Sequence, residues 1–396
     1  MATSYFLHAA DLHLGAQLKS LGSRVSGETA DRVRHEVRQV FDDLVQLAIE
    51  RQVEFIVFAG DVYDHAENDP GAKQRVYRGF RKLEDAGIPV FVVHGNHDPI
   101  GKSMSAVADR PSNVHVFNSG VVGTQQLTLR NGAEVTIAGI SFGSSSEEEN
   151  LAVKFNEVSG STVVGILHTN VGGIGSAGGH GNYAPCSQQD LTNAPVNYWA
   201  LGHIHDRQVT KTPKGYWAYP GNLQGRSTKA TECGPKGVLL VGVDSDGSIA
   251  EPEFVALDRV RFHRVPVDVS GCESSVQVLN KLDAVVQEYV LANPDLPNLL
   301  RIELSGRTDA YDELQKQDDQ LLENVREHVS GSIEDGVVLK VVNSTQRNVD
   351  RTELRQRTNL LGNALRSLDA VGTNSGLSDE LLSEAERILI DALEVK

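Results

Sequence analysis

A chain of 396 residues, 40% hydrophobic and 23% charged, has the composition of a globular protein of two or three domains, which excludes a disordered, fibrous or coiled-coil molecule. Asp and Glu outnumber Lys and Arg by 53 to 37, a formal charge of −16. Any hold on nucleic acid must therefore come from local basic patches, metal ions or a basic partner, because the overall field repels phosphate. No apolar run approaches the roughly 18 residues of a membrane span. The opening MATSYFLHAADLH lacks the basic start and apolar stretch of a signal peptide, so the chain is expected in the cytosol.

Through about residue 260, short β-branched or aromatic strands alternate with amphipathic helices, an α/β pattern. The expected strands are TSYFLHAAD, VEFIVFAGD, IPVFVVHGN, EVTIAGISF, TVVGILHTN, VNYWALGHI and GVLLVGVDS. Val33, Val37, Phe41, Leu44 and Ala48 recur at helical spacing and predict a helix over about 29–50. A second helix is expected over about 71–86, with Val76, Phe80 and Leu83 inward. SSSEEEN at 144–150 and the Gly-rich 171–182 read as exposed loops; the latter has no GKS or GKT and is no P-loop. Beyond Val260 the order becomes strand, helix, strand, helix, strand, a small α+β domain over 261–345. From 346 to 396 the chain reads as helical, ending in an apolar stripe of Leu381, Leu382, Ala385, Ile388, Leu389 and Ala392 with Ser378 as N-cap. Cys186, Cys233 and Cys272, odd in number and without CxxC spacing, read as reduced thiols.

Five short motifs fall where strands end: Asp11-Leu12-His13, Gly60-Asp61-Val62-Tyr63-Asp64, Gly95-Asn96-His97-Asp98, His168, and Gly202-His203-Ile204-His205. In α/β proteins the carboxyl ends of strands are where loops converge on a ligand crevice. Carboxylate oxygen, amide oxygen and imidazole nitrogen suit hard or borderline divalent cations. Asp11, His13, Asp61, Asn96, His168, His203 and His205 make seven potential ligands, enough for two ions sharing one carboxylate. Two such ions can clamp a phosphoryl group and activate water for in-line attack. Singly, each motif has a bland explanation as a surface turn, a hairpin loop or a strand-end histidine. All five in this order leave little room for coincidence. His8 and His94, inside strands, read as core histidines, while the loop residues His65, His180 and Tyr183 are open to either reading.

This order of motifs resembles the calcineurin-like metallophosphoesterases. HAADLHLG, the complete GNHD, YAPCS at 183–187, YWALGHIH and YPGNLQGR at 219–226 narrow the resemblance to YhaO-type DNA repair exonucleases, SbcD-like nuclease subunits. It is strongest over about 5–260, and LRIELSGRT at 300–308 resembles the family's cap domain. The resemblance implies a metallophosphoesterase β-sandwich flanked by helices over 1–260, an α+β cap over 261–345, and a C-terminal helical segment over 346–396 for docking an ATPase partner. It further implies that Asp11, His13, Asp61 and His205 hold one ion, and that Asp61, Asn96, His168 and His203 hold the other. By the same resemblance the ions are manganese, His97 is the catalytic histidine, and Asp64 orients it. DNA is the implied substrate, an SMC-like coiled-coil ATPase of the YhaN/SbcC type the implied partner, and a homodimer the implied assembly.

Arg226, just beyond the last motif strand, and Arg207, beside GHIH, are candidate phosphate contacts. Lys73, Arg75, Arg78, Arg81 and Lys82 on the second helix could track a DNA backbone or form a solvated face. The expected cap carries eight Lys/Arg against fifteen Asp/Glu, so any DNA contact there falls on a few residues such as Arg261, Arg264 and Arg307, or on a partner. In the tail, Arg347, Arg351, Arg355, Arg357 and Arg366 form a locally basic approach to the apolar stripe, suited to an acidic helical partner. Three functions compete: a dinuclear metal-dependent DNA nuclease, a phosphodiesterase or phosphatase for small nucleotides or phosphoproteins, and a metal-bearing scaffold without turnover. Retention of all seven ligands and His97 favours catalysis, and the cap, tail and YPGNLQGR favour DNA.

Overall fold

Two six-stranded sheets carry the N-terminal part of the chain in this computed structural model. It describes residues 3–16, 18, 21, 27–64, 70–100, 110–173, 181–292, 294–315, 318–332, 336–348, 351–375 and 378–393. In chain order the elements are β1 (Thr3–Ala9), α1 (Gly27–Glu50), β2 (Ile56–Ala59), α2 (Pro70–Asp85), β3 (Val90–Val93), β4 (Val114–Val116), β5 (Gly123–Thr128), β6 (Glu134–Ile140) and β7 (Thr162–His168). Next come α3 (Gln188–Asn193), β8 (Tyr198–Gly202), β9 (Gln208–Thr212), β10 (Gly215–Tyr219), β11 (Gly237–Asp244) and β12 (Glu253–Ala256). The remainder is β13 (Arg261–Asp268), α4 (Ser275–Leu291), β14 (Asn298–Thr308), α5 (Tyr311–Gln315), α6 (Asp318–Ser332), β15 (Gly336–Arg347), α7 (Arg351–Gln356), α8 (Leu360–Ser375) and α9 (Asp379–Leu393). None of the described helices is long and apolar enough to cross a membrane.

The first sheet runs β12-β11-β1-β2-β3-β4 and the second β5-β6-β7-β8-β10-β9. Strands β1 to β4 are mutually parallel, as are β6, β7, β8 and β10, while the outer partners pair antiparallel. Both faces of the central strands are buried, so alternate residues serve different cores. Phe6, Val57, Phe91 and Val93 of the first sheet pack with Ile137, Val164, Ile166 and Tyr198 of the second, between the layers. Leu7, Ile56, Phe58, Val90 and Val92 turn the other way, onto Phe41, Leu44 and Ala48 of α1 and Val76, Phe80 and Leu83 of α2. The far face of the second sheet, with Leu167, Trp199 and Leu201, is covered by the 3-10 turn Leu151–Glu157 and by Leu191 of α3. The result is a helix-flanked sandwich with both helices at their expected places.

Chain contacts divide the protein into two units, Met1–Val265 with Asp283–Ile302 and Leu322–Val342, and Pro266–Leu282 with Glu303–Leu321 and Asn343–Lys396. The cuts fall within β13, α4, β14, α6 and β15, whose strands form a third sheet in the order β13-β14-β15. Within the first unit, Phe262, Leu299 and Leu339 share a core with Leu21, Ala30 and Val33. Within the second, Leu354, Leu361, Leu365 and Ile390 join α7, α8 and α9. The tail differs from its sequence reading. Leu382, Ala385 and Leu389 are half-buried, but Leu381 and Ile388 are 59% and 54% exposed, and Ile390 and Glu386 occupy the buried face instead. Six apolar residues spread over a wider arc than a single neighbouring helix covers, and Glu386 is drawn inward by its ion pair with Arg355, 3.0 Å away.

Candidate metal centre

The parallel strands deliver every motif to one end of the sandwich. Asp11 and His13 follow β1, Asp61 follows β2, Asn96 and His97 follow β3, His168 closes β7, and His203 and His205 follow β8. Of the six described non-glycine residues with positive φ, four are in this set: Asp11 (52°), His13 (45°), Asp61 (51°) and His203 (101°). Such backbone costs about 1–3 kcal/mol per residue and persists only where the surroundings enforce it. Here the loops enforce one another. The Asp11 amide donates to Gly60 O at 3.1 Å and the His13 amide to Asp61 O at 2.9 Å. The His203 amide donates to both Asp11 carboxylate oxygens, at 3.1 and 3.0 Å.

Side chains converge accordingly. His13 Nε2 lies 3.2 Å from His205 Nε2 and 3.8 Å from Asp61 Oδ2. His168 Nε2 lies 3.1 Å from Asn96 Oδ1 and 3.5 Å from Asp61 Oδ2. Asp11, His13 and His205 present one ligand atom each within 4.8 Å of one another, as do Asp11, Asp61 and His168, and also His13, Asp61 and His97. Burial lifts the Asp11 carboxyl well above its ordinary range, with the Asp61 charge adding, and lifts that of Asp61 likewise, with Asp98 adding. Two buried carboxylates among imidazole nitrogens aimed at each other are costly for the protein alone and suited to divalent cations. The donor set therefore fits a dinuclear centre of hard or borderline ions.

For three of the four ligand-type histidines the outward nitrogen is engaged by a protein group, the arrangement that fixes which ring nitrogen faces a metal, while buried His13 Nδ1 has no hydrogen-bond partner among the described residues. His168 Nδ1 is 2.9 Å from Ala59 O, and His203 Nε2 is 2.6 Å from Gly181 O. His205 Nδ1 is 2.6 Å from Glu232 Oε1. Nothing in the sequence singles out Glu232: a lone Glu in TKATECG carries no local signal. Burial alone would raise its carboxyl, but the His205 hydrogen bond and the charges of His205 and Arg226 outweigh that and bring it down to about 2. Asp98, the last residue of GNHD, is a second unsuspected anchor. It is fully buried and accepts from the amides of Val62 at 2.9 Å and Gly95 at 2.8 Å, tying two motif loops together.

His97 stands apart from the buried set, its side chain 42% exposed. Its amide donates to Asp61 Oδ1 at 2.9 Å, and its Nδ1 faces Asp64 Oδ1 at 3.5 Å. Asp64 raises the His97 pKa, partial burial opposes this, and Asp61 adds to the rise. Arg226 acts on Asp11, His13 and His97 by charge and lies 3.7 Å from Glu232. Arg207 is elsewhere, its guanidinium 3.8 Å above the Phe254 ring. Tyr183 sits beside His203, ring centroids 5.6 Å apart, whereas His65 and His180 lie outside the described residues. His8 is a core histidine, bonded to Tyr198 Oη and Leu201 O and pushed down to about 3 by burial; His94 is buried 3.5 Å from Asp98. On α2, Arg75 pairs with Asp42 and Arg81 with Glu84, while Arg261 is buried against Asp258 and so is no DNA contact. Three of the tail arginines are engaged as well: Arg347 with Asp312, Arg355 with Asp369 and Glu386, Arg357 with Glu353.

A sandwich with carboxylates, an amide and imidazoles gathered at the ends of its parallel strands defines a metal-dependent phosphoesterase. The calcineurin-like phosphoesterase family matches residues 4–207, more than half of the chain, and the protein belongs to that family. A second family, the middle domain of metallophosphoesterase YhaO, matches residues 262–346. The chain is 31% identical over 309 residues to the metallophosphoesterase YhaO of Bacillus subtilis (strain 168), covering 76% of this chain and 71% of the relative. It is 25% identical over 323 residues to the DNA double-strand break repair protein Mre11 of Sulfurisphaera tokodaii, covering 80% and 77%. A local match of 34% over 113 residues, 28% of this chain and 26% of the relative, links it to the SbcD component of the nuclease SbcCD of Bacillus subtilis.

Proposed function

We propose that the protein is a dinuclear metal-dependent DNA nuclease, an exonuclease acting at DNA ends in double-strand break repair or foreign-DNA clearance. The observation that carries this reading is the set of seven ligand-type side chains and His97 gathered at one end of the sandwich, in a chain similar to Mre11 over most of its length. In this reading Asp11, His13, Asp61 and His205 hold one manganese ion and Asp61, Asn96, His168 and His203 the other. Two ions held there would offset the charge of a phosphodiester and make hydroxide available at neutral pH. Exposed His97 donates a proton to the leaving oxygen, and Asp64 orients its Nδ1. Arg226 steadies phosphate charge. Arg207, its guanidinium held over Phe254, takes no part in this reading.

The same reading divides the chain into a nuclease domain (1–260), an α+β cap (261–345) and a tail (346–396) that docks an SMC-like ATPase, and makes the protein a homodimer. With Arg347, Arg355 and Arg357 paired internally, docking rests on the exposed apolar residues Leu381 and Ile388. The test is to incubate the chain with Mn²⁺ and three substrates in parallel: linear duplex DNA, covalently closed circular DNA and a cyclic nucleotide. Degradation of linear DNA alone is expected. Hydrolysis of the cyclic nucleotide with linear DNA intact would replace this reading by a small-nucleotide phosphodiesterase.

A further inference from the structure

Apart from Arg226, the run YPGNLQGR at 219–226 has no role yet in the chemistry, and neither does buried Lys236, which follows it together with Glu232. Resting on the metal-centre reading above, we propose that these residues form a positioning device for His205. Glu232, 5% exposed, meets His205 Nδ1 at 2.6 Å through Oε1. Its Oε2 accepts from Asn222 Nδ2 at 2.9 Å and from the Arg226 amide at 2.9 Å. Lys236, 4% exposed, donates from Nζ to His205 O at 2.8 Å and to Thr231 O at 2.6 Å. His205 is thus held at both its ring and its carbonyl, with Nε2 left facing His13 Nε2 at 3.2 Å.

The glycines of the run allow the close approach. A Cβ on Gly221 would lie 2.7 Å from His205 O, and one on Gly225 would lie 2.3 Å from Glu232 O. Gln224 anchors the loop from behind, donating to Val260 O at 2.7 Å and accepting from the Arg259 amide at 3.0 Å. A buried carboxylate is costly unless its oxygens are satisfied. Here each oxygen has a partner: Oε1 meets the His205 imidazole, with the Arg226 guanidinium 3.7 Å away, and Oε2 meets the Asn222 side chain and the Arg226 amide. Glu232 therefore acts through His205 by fixing the ring so that Nε2 alone faces the centre.

The experiment titrates Mn²⁺ into the full chain, reading free Mn²⁺ by electron paramagnetic resonance, for wild type, Glu232→Gln, His205→Ala and the double variant. Wild type should bind two ions. Glu232→Gln should weaken one of them about ten- to a hundredfold and leave the other unchanged. Its kcat should recover in excess Mn²⁺. In the His205→Ala background the Glu232 substitution should cost less than about twofold more, because its effect passes through that ring. If Glu232→Gln shows no melting transition, Asn222→Ala keeps the carboxylate and should give a smaller loss at the same ion. A folded Glu232→Gln or Asn222→Ala with the wild-type isotherm, or an undiminished Glu232 effect without His205, would overturn the proposal. Wild type that takes up no Mn²⁺ would instead overturn the metal-centre reading beneath it.

Discussion

Gly95→Ala is a sharp probe of the centre because it adds one methyl group and nothing else. Gly95 does not adopt a positive φ, so alanine fits its backbone, and its amide can keep the 2.8 Å bond to Asp98 Oδ1. The added Cβ, however, would sit 2.4 Å from Asp61 Oδ1 and 2.7 Å from both Cε1 and Nε2 of His168. Restoring ordinary contact, about 3.4–3.5 Å, requires these groups to retreat by roughly 1 Å. Misplacement on that scale costs on the order of 100-fold in rate, about 2.7 kcal/mol of transition-state stabilisation. The shifted atoms belong to the carboxylate proposed to bridge the ions and to an imidazole of the same ion, so Mn²⁺ affinity should fall with turnover. The assay is hydrolysis of bis(p-nitrophenyl) phosphate across a Mn²⁺ titration, with metal-free melting as the fold check. Gly143→Ala is the control, since among the described residues its Cβ would meet only Ser119 Cβ and Oγ at 3.5 Å. Wild-type turnover and Mn²⁺ affinity in folded Gly95→Ala would refute the placement of Asp61 and His168.

His97→Ala should lower kcat by about 10²–10⁴ while both ions still bind, because His97 is exposed and lies outside the proposed ligand set; loss of an ion from elemental analysis would make it a ligand instead. Asp61→Ala should lose both ions, and retention of one at full occupancy would argue against a bridging carboxylate. Since β15 runs to Arg347, ending the chain after Asn348 should leave Mn²⁺-dependent hydrolysis within about twofold of wild type; a collapsed melting transition would show that the tail supports the catalytic unit. Sedimentation equilibrium at micromolar concentration should give twice the 42.9 kDa chain mass, and a single 42.9 kDa species would dispose of the homodimer.

What the sequence makes legible depends on how far each signal is carried by neighbours in the chain. Strands with both faces buried, such as EFIVFAG and TVVGILH, announce themselves as apolar runs. The edge strands β4, β5, β9 and β12 do not, since GTQQLT and QVTKT are largely solvated and polar residues guard an edge against pairing. Interior β10 in KGYWAYP is hidden because glycine and proline frame its five residues as they would a turn. The metal centre is legible for a related reason: parallel strands end in the same place, so five short motifs read separately become one site. The residues that hold those ligands are not legible. Asp98 looks like part of a turn and Glu232 like a surface charge, because a carboxylate's burial is decided by partners outside its own stretch of chain. Asp11 and His203, 192 residues apart, meet through a backbone amide, and Glu232 reaches His205 across 27. The tail misleads for the opposite reason. Its helical period is right, but period alone does not say how many neighbours a helix has, and a stripe of six apolar residues suggests one buried face where α8 covers only part of it. Sequence patterns thus locate the groups that would touch metal, while the polar partners that aim them emerge only from tertiary contacts. Mutations at those partners, Glu232 and Asp98 before all others, are where a sequence-based expectation of a neutral surface change departs furthest from what this fold requires.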